Sequence, residues 1–348
     1  MSWLHTLQLV GERGHDAVTV TVASGKGSTP RDPGTKMIVT LEALHGTVGG
    51  GELEYQAIDL ARGMLRSGGD RETKRFGLGA NLGQYCGGAA NLLLDRVPRG
   101  DAWVGVAARW HDAGVPCVVV TPFDGEARLL VRDAEAWGGL GDATLDARAT
   151  EIARGLLANR ARETAPVAVG GGLTALFEPL QPSDFNVVLF GAGHVGRALV
   201  RVLGPVPCRV TWVDSRAGEF PAEVPDNVRA VRTDAPAAEV AAARAGSYFL
   251  VMTHSHALDY ELVGAVLRRG DCAFCGMIGS QTKRRTFENG LAKHGVAPER
   301  LSGLTCPIGI AGIKGKEPGT IAVAVAAQLI EQRERAALGV ENERSARA

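Results

Sequence analysis

The sequence predicts an α/β protein in two parts, an N-terminal mixed α/β domain followed by a C-terminal Rossmann-type doubly wound parallel sheet. Three observations carry this reading. The segment NVVLFGAGHVGRALVRVL, from Asn186, sets a short apolar strand directly before Gly191-x-Gly193-x-x-Gly196 and a helical pattern. From there to the end, strand and helix patterns alternate, as βαβ units require. The fingerprint also starts past the midpoint of 348 residues, and at about 150 residues per domain a second domain must precede it. The expected domains are 1–180 and 184–338, with 339–348 a flexible tail.

The N-terminal elements follow from local pattern. An amphipathic helix over 3–12 leads to the strand AVTVTVA and a turn-rich SGKGSTPRDPG. Strands KMIVTL and GTV come next. Gly49, Gly50 and Gly51 then open a helix over 52–66, where Leu53, Ala57, Leu60, Ala61 and Met64 recur at helical spacing. A strand near Lys74, the loop GLGANLGQYCGG and the strand ANLLLD follow, then a helix over 103–111, the strands PCVVVTPF and ARLLVR, and a helix over 147–162. The domain closes with LTALFEPL, where Pro179 and Pro182 are expected to end regular structure. No internal repeat is visible at this level.

The C-terminal elements are strand NVVLF, a helix from His194, strands CRVTWV and NVRAV, a helix from Pro236, strand SYFLVM, a helix from Ala257, strand CAFCGMI, a helix from Gln281 and a last helix over 318–335. In the sheet order 3-2-1-4-5-6, the ends of strands 1 and 4 converge at one crevice. Gly191 allows the tight turn, Gly193 lets backbone approach a phosphate, and Gly196 lets helix and strand pack. The free amides around His194 and Val195 then face an anion. Asp214 stands 23 residues after Gly191, where a carboxylate commonly holds a ribose 2′-OH. Across the crevice lie Thr253 and His254. After strand 5, Gly279 and the N-cap candidate Ser280 precede Lys283, Arg284 and Arg285, which suit an anionic group.

Composition excludes several classes. Lysine plus arginine equals aspartate plus glutamate, 38 against 38, so net charge points to neither nucleic acid nor an anionic membrane. No run approaches the roughly 20 apolar residues that span a bilayer, and the start lacks a signal-peptide pattern. A cytoplasmic protein with reduced thiols is expected. Glycine, at 46 residues, exceeds its usual share of roughly 7 % and falls in short clusters.

Four features invite chemistry. In THSHALD, capping and hydrogen bonding are favoured over metal ligation by His254, His256 and Asp259, because a strand end and a helix start do not fix them on one face. Cys272-x-x-Cys275 reads as two inert strand thiols pointing to opposite faces. Cys86, in the glycine-flanked LGQYCGG, is the candidate for binding a soft metal or handling sulfur, with an incidental free thiol as the alternative. Neither SGKGSTPR nor GIAGIKGKEPG satisfies the phosphate-loop spacing of an ATPase.

Taken in order, GKGSTPRDPGTKMIV, GTVGGGELE, LGQYCGG, FGAGHVGRALV, DSR, THSHALD, GMIGSQTKRRTF and CPIGIAGIKGKEPGTIAVAVAAQL resemble the XdhC/CoxI proteins, accessory factors of xanthine dehydrogenase and related molybdenum hydroxylases. The resemblance spans almost the whole chain. It implies an N-terminal XdhC/CoxI domain, a Rossmann domain and often a homodimer. It further implies a chaperone that binds the molybdenum cofactor (molybdopterin), partners a cysteine desulfurase in its sulfuration and delivers it to apo xanthine dehydrogenase or a related hydroxylase, without itself turning over the purine. The matching positions are Gly49, Gly50, Gly51 and Glu52; Gln84, Cys86, Gly87 and Gly88; Gly191, Gly193, Gly196, Asp214, Thr253, His254, Gly279, Ser280 and Lys283; and the Cys306–Gly309 turn. Cys86 is then the candidate molybdenum ligand. The competing reading is an NAD(P)-dependent oxidoreductase using the fingerprint and Asp214, with Arg216 leaving NAD against NADP open. Its weakness is the lack of a clear acid–base pair.

Overall fold

The computed structural model describes residues 3–77 and 88–345. The chain divides into two compact units, Met1–Pro182 and Ser183–Ala348.

The first unit holds α1 (Trp3–Glu12), β1 (Ala17–Lys26), β2 (Lys36–Val39), β3 (Leu44–Gly46), α2 (Gly51–Ser67), β4 (Arg71–Gly77) and β5 (Ala89–Val97), then α3 (Ala102–Asp112), β6 (Cys117–Pro122), β7 (Arg128–Val131), β8 (Ala136–Gly139), α4 (Ala143–Ala158), β9 (Ala165–Gly170) and β10 (Leu173–Leu180). These build two five-stranded sheets, β3-β2-β1-β5-β4 and β8-β7-β6-β10-β9, antiparallel throughout. The second half repeats the first: the same element order and the same strand order.

Register makes the equivalence residue by residue. Val18 and Val20 face Val39 and Met37; Val118 and Val120 face Val131 and Leu129. Gly46 and Gly138 both have φ near +80°, and a Cβ on either would strike the carbonyl oxygen of the first residue of the neighbouring strand, Lys36 or Arg128. In the helices, buried Ala57 and Ala61 correspond to buried Ala149 and Ala153. The unit is therefore an internal duplication, contrary to the sequence expectation. Spacing hides it, because equivalent residues stand 100 apart at α1 and α3, 92 apart at β2 and β7, and 83 apart at β5 and β10.

The halves are joined by reciprocal buried ion pairs. Lys36 of the first half meets Glu178 of the second at 2.6 Å, while Arg128 of the second meets Asp95 of the first. Asp95 and Glu178 are themselves equivalent, facing Thr19 and Val119. Each cation also lies over the tryptophan that opens its own half, Lys36 over Trp3 and Arg128 over Trp103, which suits a desolvated charge.

Some boundaries move. β8, β9 and the short strand Leu304–Thr305 of the second unit were not foreseen, and α4 starts earlier than 147 because Asp142 caps it, accepting from Thr144 and Leu145 N–H. Pro179 does not end β10. It pairs with Val118 where β9 no longer runs alongside, so the missing N–H faces no strand.

The second unit contains β11 (Asn186–Phe190), α5 (His194–Leu203), β12 (Arg209–Asp214), a 3-10 turn at Ala217–Glu219, β13 (Val228–Arg232), α6 (Pro236–Ala242), β14 (Tyr248–Val251), α7 (His256–Arg269), β15 (Phe274–Met277), α8 (Gln281–Lys293), α9 (Pro298–Leu301), β16 (Leu304–Thr305) and α10 (Pro318–Ser345). The sheet is parallel in the order β13-β12-β11-β14-β15-β16, the predicted doubly wound arrangement. Apolar side chains fill both faces: Leu189, Trp212 and Leu250 lie in the core that includes Leu199 of α5 and Val325 of α10, and Phe190, Phe249 and Met277 in the core that includes Leu262 of α7 and Leu291 of α8. The last helix runs to Ser345 rather than Arg335. Cys272 precedes β15 instead of lying in it, and it packs against the same core as buried Cys275, so the opposite-face reading fails.

Candidate functional site: an open helix start and two glycine-bound loop clusters

The fingerprint turn is held by contacts that only glycine permits. Gly191 has φ 113°, and a Cβ there would lie 2.2 Å from the Met252 oxygen; a Cβ on Gly196 would lie 2.1 Å from the Gly191 oxygen. Trp212 Nε1 donates to that same Gly191 oxygen at 3.0 Å. Gly193 differs. Its backbone is extended, nothing stands within 4 Å of its would-be Cβ, and no side chain caps α5. The first-turn amides at His194, Val195 and Gly196 thus have no helical acceptor and keep the positive dipole end. His194 is exposed and Val195 packs partly on the core.

Asp214, expected to hold a ribose, is engaged internally. Its Oδ2 accepts from the Ala192 N–H at 2.7 Å and from Arg216 Nη2 at 2.9 Å. Its Oδ1 accepts from the Arg216 N–H and Nε. Burial raises the carboxyl's pKa, but the hydrogen bonds from Arg216 and Ala192 outweigh this and hold it at about 2. Arg216 is in turn shared with Glu219 at 3.2 Å. The carboxylate ties β12 to the fingerprint turn from inside.

Across the sheet, Asp259 organises the remaining predicted residues. Buried at 1 % exposure, it accepts from the Thr253 N–H and hydroxyl and from Lys283 Nζ at 2.7 Å. Lys283 also donates to the Ile278 carbonyl. Ser255 caps α7 and Ser280 caps α8, so THSHALD does perform capping. Gly279 sits where a Cβ would press on Lys283 and on Cys306 Sγ. His254 remains exposed. Lys283 is thereby neutralised, Arg284 pairs with Glu288, and Arg285 is the exposed cation of the three.

In the first unit, a Cβ on Gly49 would strike Pro30, and one on Gly88 would strike the Ser28 and Lys26 oxygens. The loop after β1, the glycine triad and the end of the β4–β5 connection therefore gather at one place. Gly49, Gly50 and Gly51 all have positive φ. Glu54 braces the turn, accepting from the Thr47 hydroxyl and from the Val48 and Gly50 N–H groups. Burial opposes its ionisation, but those hydrogen bonds hold its carboxyl below the usual range. Glu52 is exposed and accepts from Gln56. Gln84, Cys86 and Gly87 lie outside the described residues.

Sequence reasoning singled out Asp259 but not its role as the buried acceptor for Thr253 and Lys283, and it missed Glu54 and the internal engagement of Asp214. The signals were faint: an arginine two residues after Asp214, and a carboxylate six residues after Thr253 or Val48.

Comparison with known proteins follows this division. Residues 187–329 match the XdhC Rossmann domain, and residues 11–77 match the XdhC and CoxI family; together they cover more than half of the chain. A curated relative, the uncharacterized protein YqeB of Escherichia coli K12, is 26 % identical over 230 residues. That match takes in 62 % of this chain and 42 % of YqeB, so the chain spans less than half the length of this relative. A Bacillus halodurans crystal structure described as a xanthine dehydrogenase superposes with a TM-score of 0.75 at 19 % identity, covering 96 % of both chains. At that identity, the likeness concerns the fold.

Proposed function

Because the chain belongs to the XdhC and CoxI family, we propose that it is an accessory factor for xanthine dehydrogenase or a related molybdenum hydroxylase, binding the molybdenum cofactor and supporting its sulfuration and insertion. The observation that carries the binding reading is the start of α5. It offers uncapped amides and open space at Gly193, while the carboxylate that a dinucleotide ribose would need is already occupied by Ala192 and Arg216. A site with free donors and no free acceptor suits a terminal phosphate better than a ribose diol.

The residues present fit the cofactor at that end. His194, Val195 and Gly196 would hold the phosphate through their N–H groups, and Gly193 gives it room. Thr253, braced by Asp259 and Lys283, forms the opposite wall of the crevice. Gln84, Cys86 and Gly87 are further proposed cofactor-binding positions, Cys86 being the candidate metal ligand or sulfur-handling group. When bound, the cofactor supplies a flat pterin and a dithiolene-held molybdenum. We place the protein in the cytoplasm, as a homodimer working with a cysteine desulfurase and the apo-hydroxylase; no helix among the described residues is long and apolar enough to cross a membrane.

The NAD(P) oxidoreductase reading finds less support, since Arg216 is committed to Asp214 and Glu219. Purification from cells that make molybdopterin, followed by pterin and molybdenum assays, tests the proposal. Both should co-purify with the chain. Finding neither, together with tight NAD binding, would replace the proposal with the oxidoreductase.

A further inference from the structure

The duplication in the first unit exposes a side-chain cluster that no motif marks. Helices α1 and α3 are equivalent elements, aligned by Trp3 with Trp103 and by the left-handed Gly14 with Gly114, and they pack against each other, with those two tryptophan rings 6.1 Å apart. Where the first turn of α1 meets the last turn of α3, His5 Nε2 stands 2.9 Å and His111 Nδ1 3.6 Å from Asp112 Oδ1. One ligand atom from each of the three lies within 4.8 Å of the others. Among the described residues, this is the group of histidine, cysteine and acidic side chains close enough to share an ion.

Two-fold equivalence supplies a built-in comparison. Moving each member to its equivalent position, 100 residues away, gives Gly105 for His5, Gly11 for His111 and Glu12 for Asp112. Those three residues do come together. They line a cavity of about 510 Å³ with Gln8, Val104 and Arg109. One notch of the helix pair is thus filled by two imidazoles and a carboxylate, and its counterpart is left open by two glycines. The imidazoles are not needed to close a core here, since the fold tolerates the glycine version of the same notch.

We propose that His5, His111 and Asp112 form a binding site for a divalent transition-metal ion of the zinc type. Two imidazoles and one carboxylate are ligands such ions prefer. On one zinc ion with bonds of about 2 Å, donors at the tetrahedral angle stand about 3.3 Å apart, and the spacings here reach that with small rotamer changes. The three side chains are 35 %, 24 % and 56 % exposed. An ion can therefore enter from solvent, and it keeps a coordination position open to water. This proposal does not rest on the cofactor reading.

The test uses the full-length chain, stripped with a chelator and titrated with Zn(II) in parallel with Co(II), whose visible spectrum reports nitrogen and oxygen against thiolate ligands. Wild type should take one ion per chain, with a nitrogen–oxygen cobalt spectrum and a raised Tm. Loss of even an outer hydrogen-bond partner weakens metal sites by about 10–100-fold, so His5→Gln, His111→Gln and the more exposed Asp112→Asn should each weaken binding by at least about ten-fold, with unchanged far-UV circular dichroism. If Asp112→Asn and His5→Gln bind as tightly as wild type, or the cobalt spectrum shows thiolate ligation alone, the site is not there. Absence of binding to wild type also overturns it.

Discussion

The two halves of the N-terminal unit share an architecture and differ in what their loops carry. In the first half, nine residues, 27–35, join β1 to β2 and eleven, 78–88, join β4 to β5; in the second, five, 123–127, and two, 171–172, do the same work. Both long connections of the first half, GSTPRDPGT and LGANLGQYCGG, carry parts of the family-like motifs. The second half keeps the sheet, the helices and the buried alanines with shorter connections. The difference teaches that the duplicated fold stands without long connections, and that the segments resembling family motifs fall in the loops of one copy.

Breaking the joint between the halves should have the largest effect. Asp95 neutralises Arg71 at 2.8 Å and Arg128 as well, all with side chains under a tenth exposed. Asp95→Asn strands two buried cations, and removing one partner of a buried pair costs about 3–5 kcal/mol. Urea unfolding should show this loss, with Glu178→Gln smaller because it strands Lys36 alone.

Equivalence can be sharpened by Gly46→Ala and Gly138→Ala. Both glycines are left-handed and abut backbone oxygen, and such strain is on the order of 1–3 kcal/mol. The two Tm shifts should agree closely; a large shift in one alone would argue against a true repeat.

The single-copy fingerprint sheet offers a contrast. Asp214→Asn should cost about 2 kcal/mol, the linkage value for a carboxyl lowered from 3.8 to about 2. Because the folded pKa is depressed, that stability is fully present above the unfolded value of about 3.8 and is lost as pH falls through about 2. Wild type and variant should therefore differ by a constant amount from pH 7 down to about pH 4, then converge in urea melts at lower pH.

The smallest effect separates the two helix-start braces. Glu54 accepts from three donors, while its equivalent Asp146 takes the Leu140 N–H, the counterpart of the Val48 bond. Glu54→Gln should destabilise by roughly 1–2 kcal/mol and Asp146→Asn by about 1 kcal/mol or less. Equal losses would mean that the glycine triad needs no extra bracing.

The fingerprint sheet was legible because its signals are local: an apolar run, glycines at fixed spacing, and Ser280 or Pro236 at helix starts. The strand order followed from those alone. The duplication was not legible because what is shared is conformational. A left-handed glycine, a small residue under a helix and an acid opposite a strand leave few identical letters, and unequal loops shift the spacing. Asp214 was found at its position but not in its state, since its partners, the Ala192 N–H and Arg216, are set by how the turn closes. Lys283 was read as a free cation for the same reason: Asp259 comes from another element, 24 positions away.

The central claim is that the open start of α5 holds the phosphate end of a molybdenum cofactor. Gly193→Asp probes it directly, because the backbone there is extended and the space is clear. Aspartate is also a favoured N-cap, so stability should hold or rise by a few tenths of a kcal/mol. Pterin and molybdenum should be measured on wild type and Gly193→Asp purified from molybdopterin-producing cells. The account predicts that wild type retains both and that the folded variant, its amides covered by a carboxylate, retains neither; equal retention by the two would contradict it.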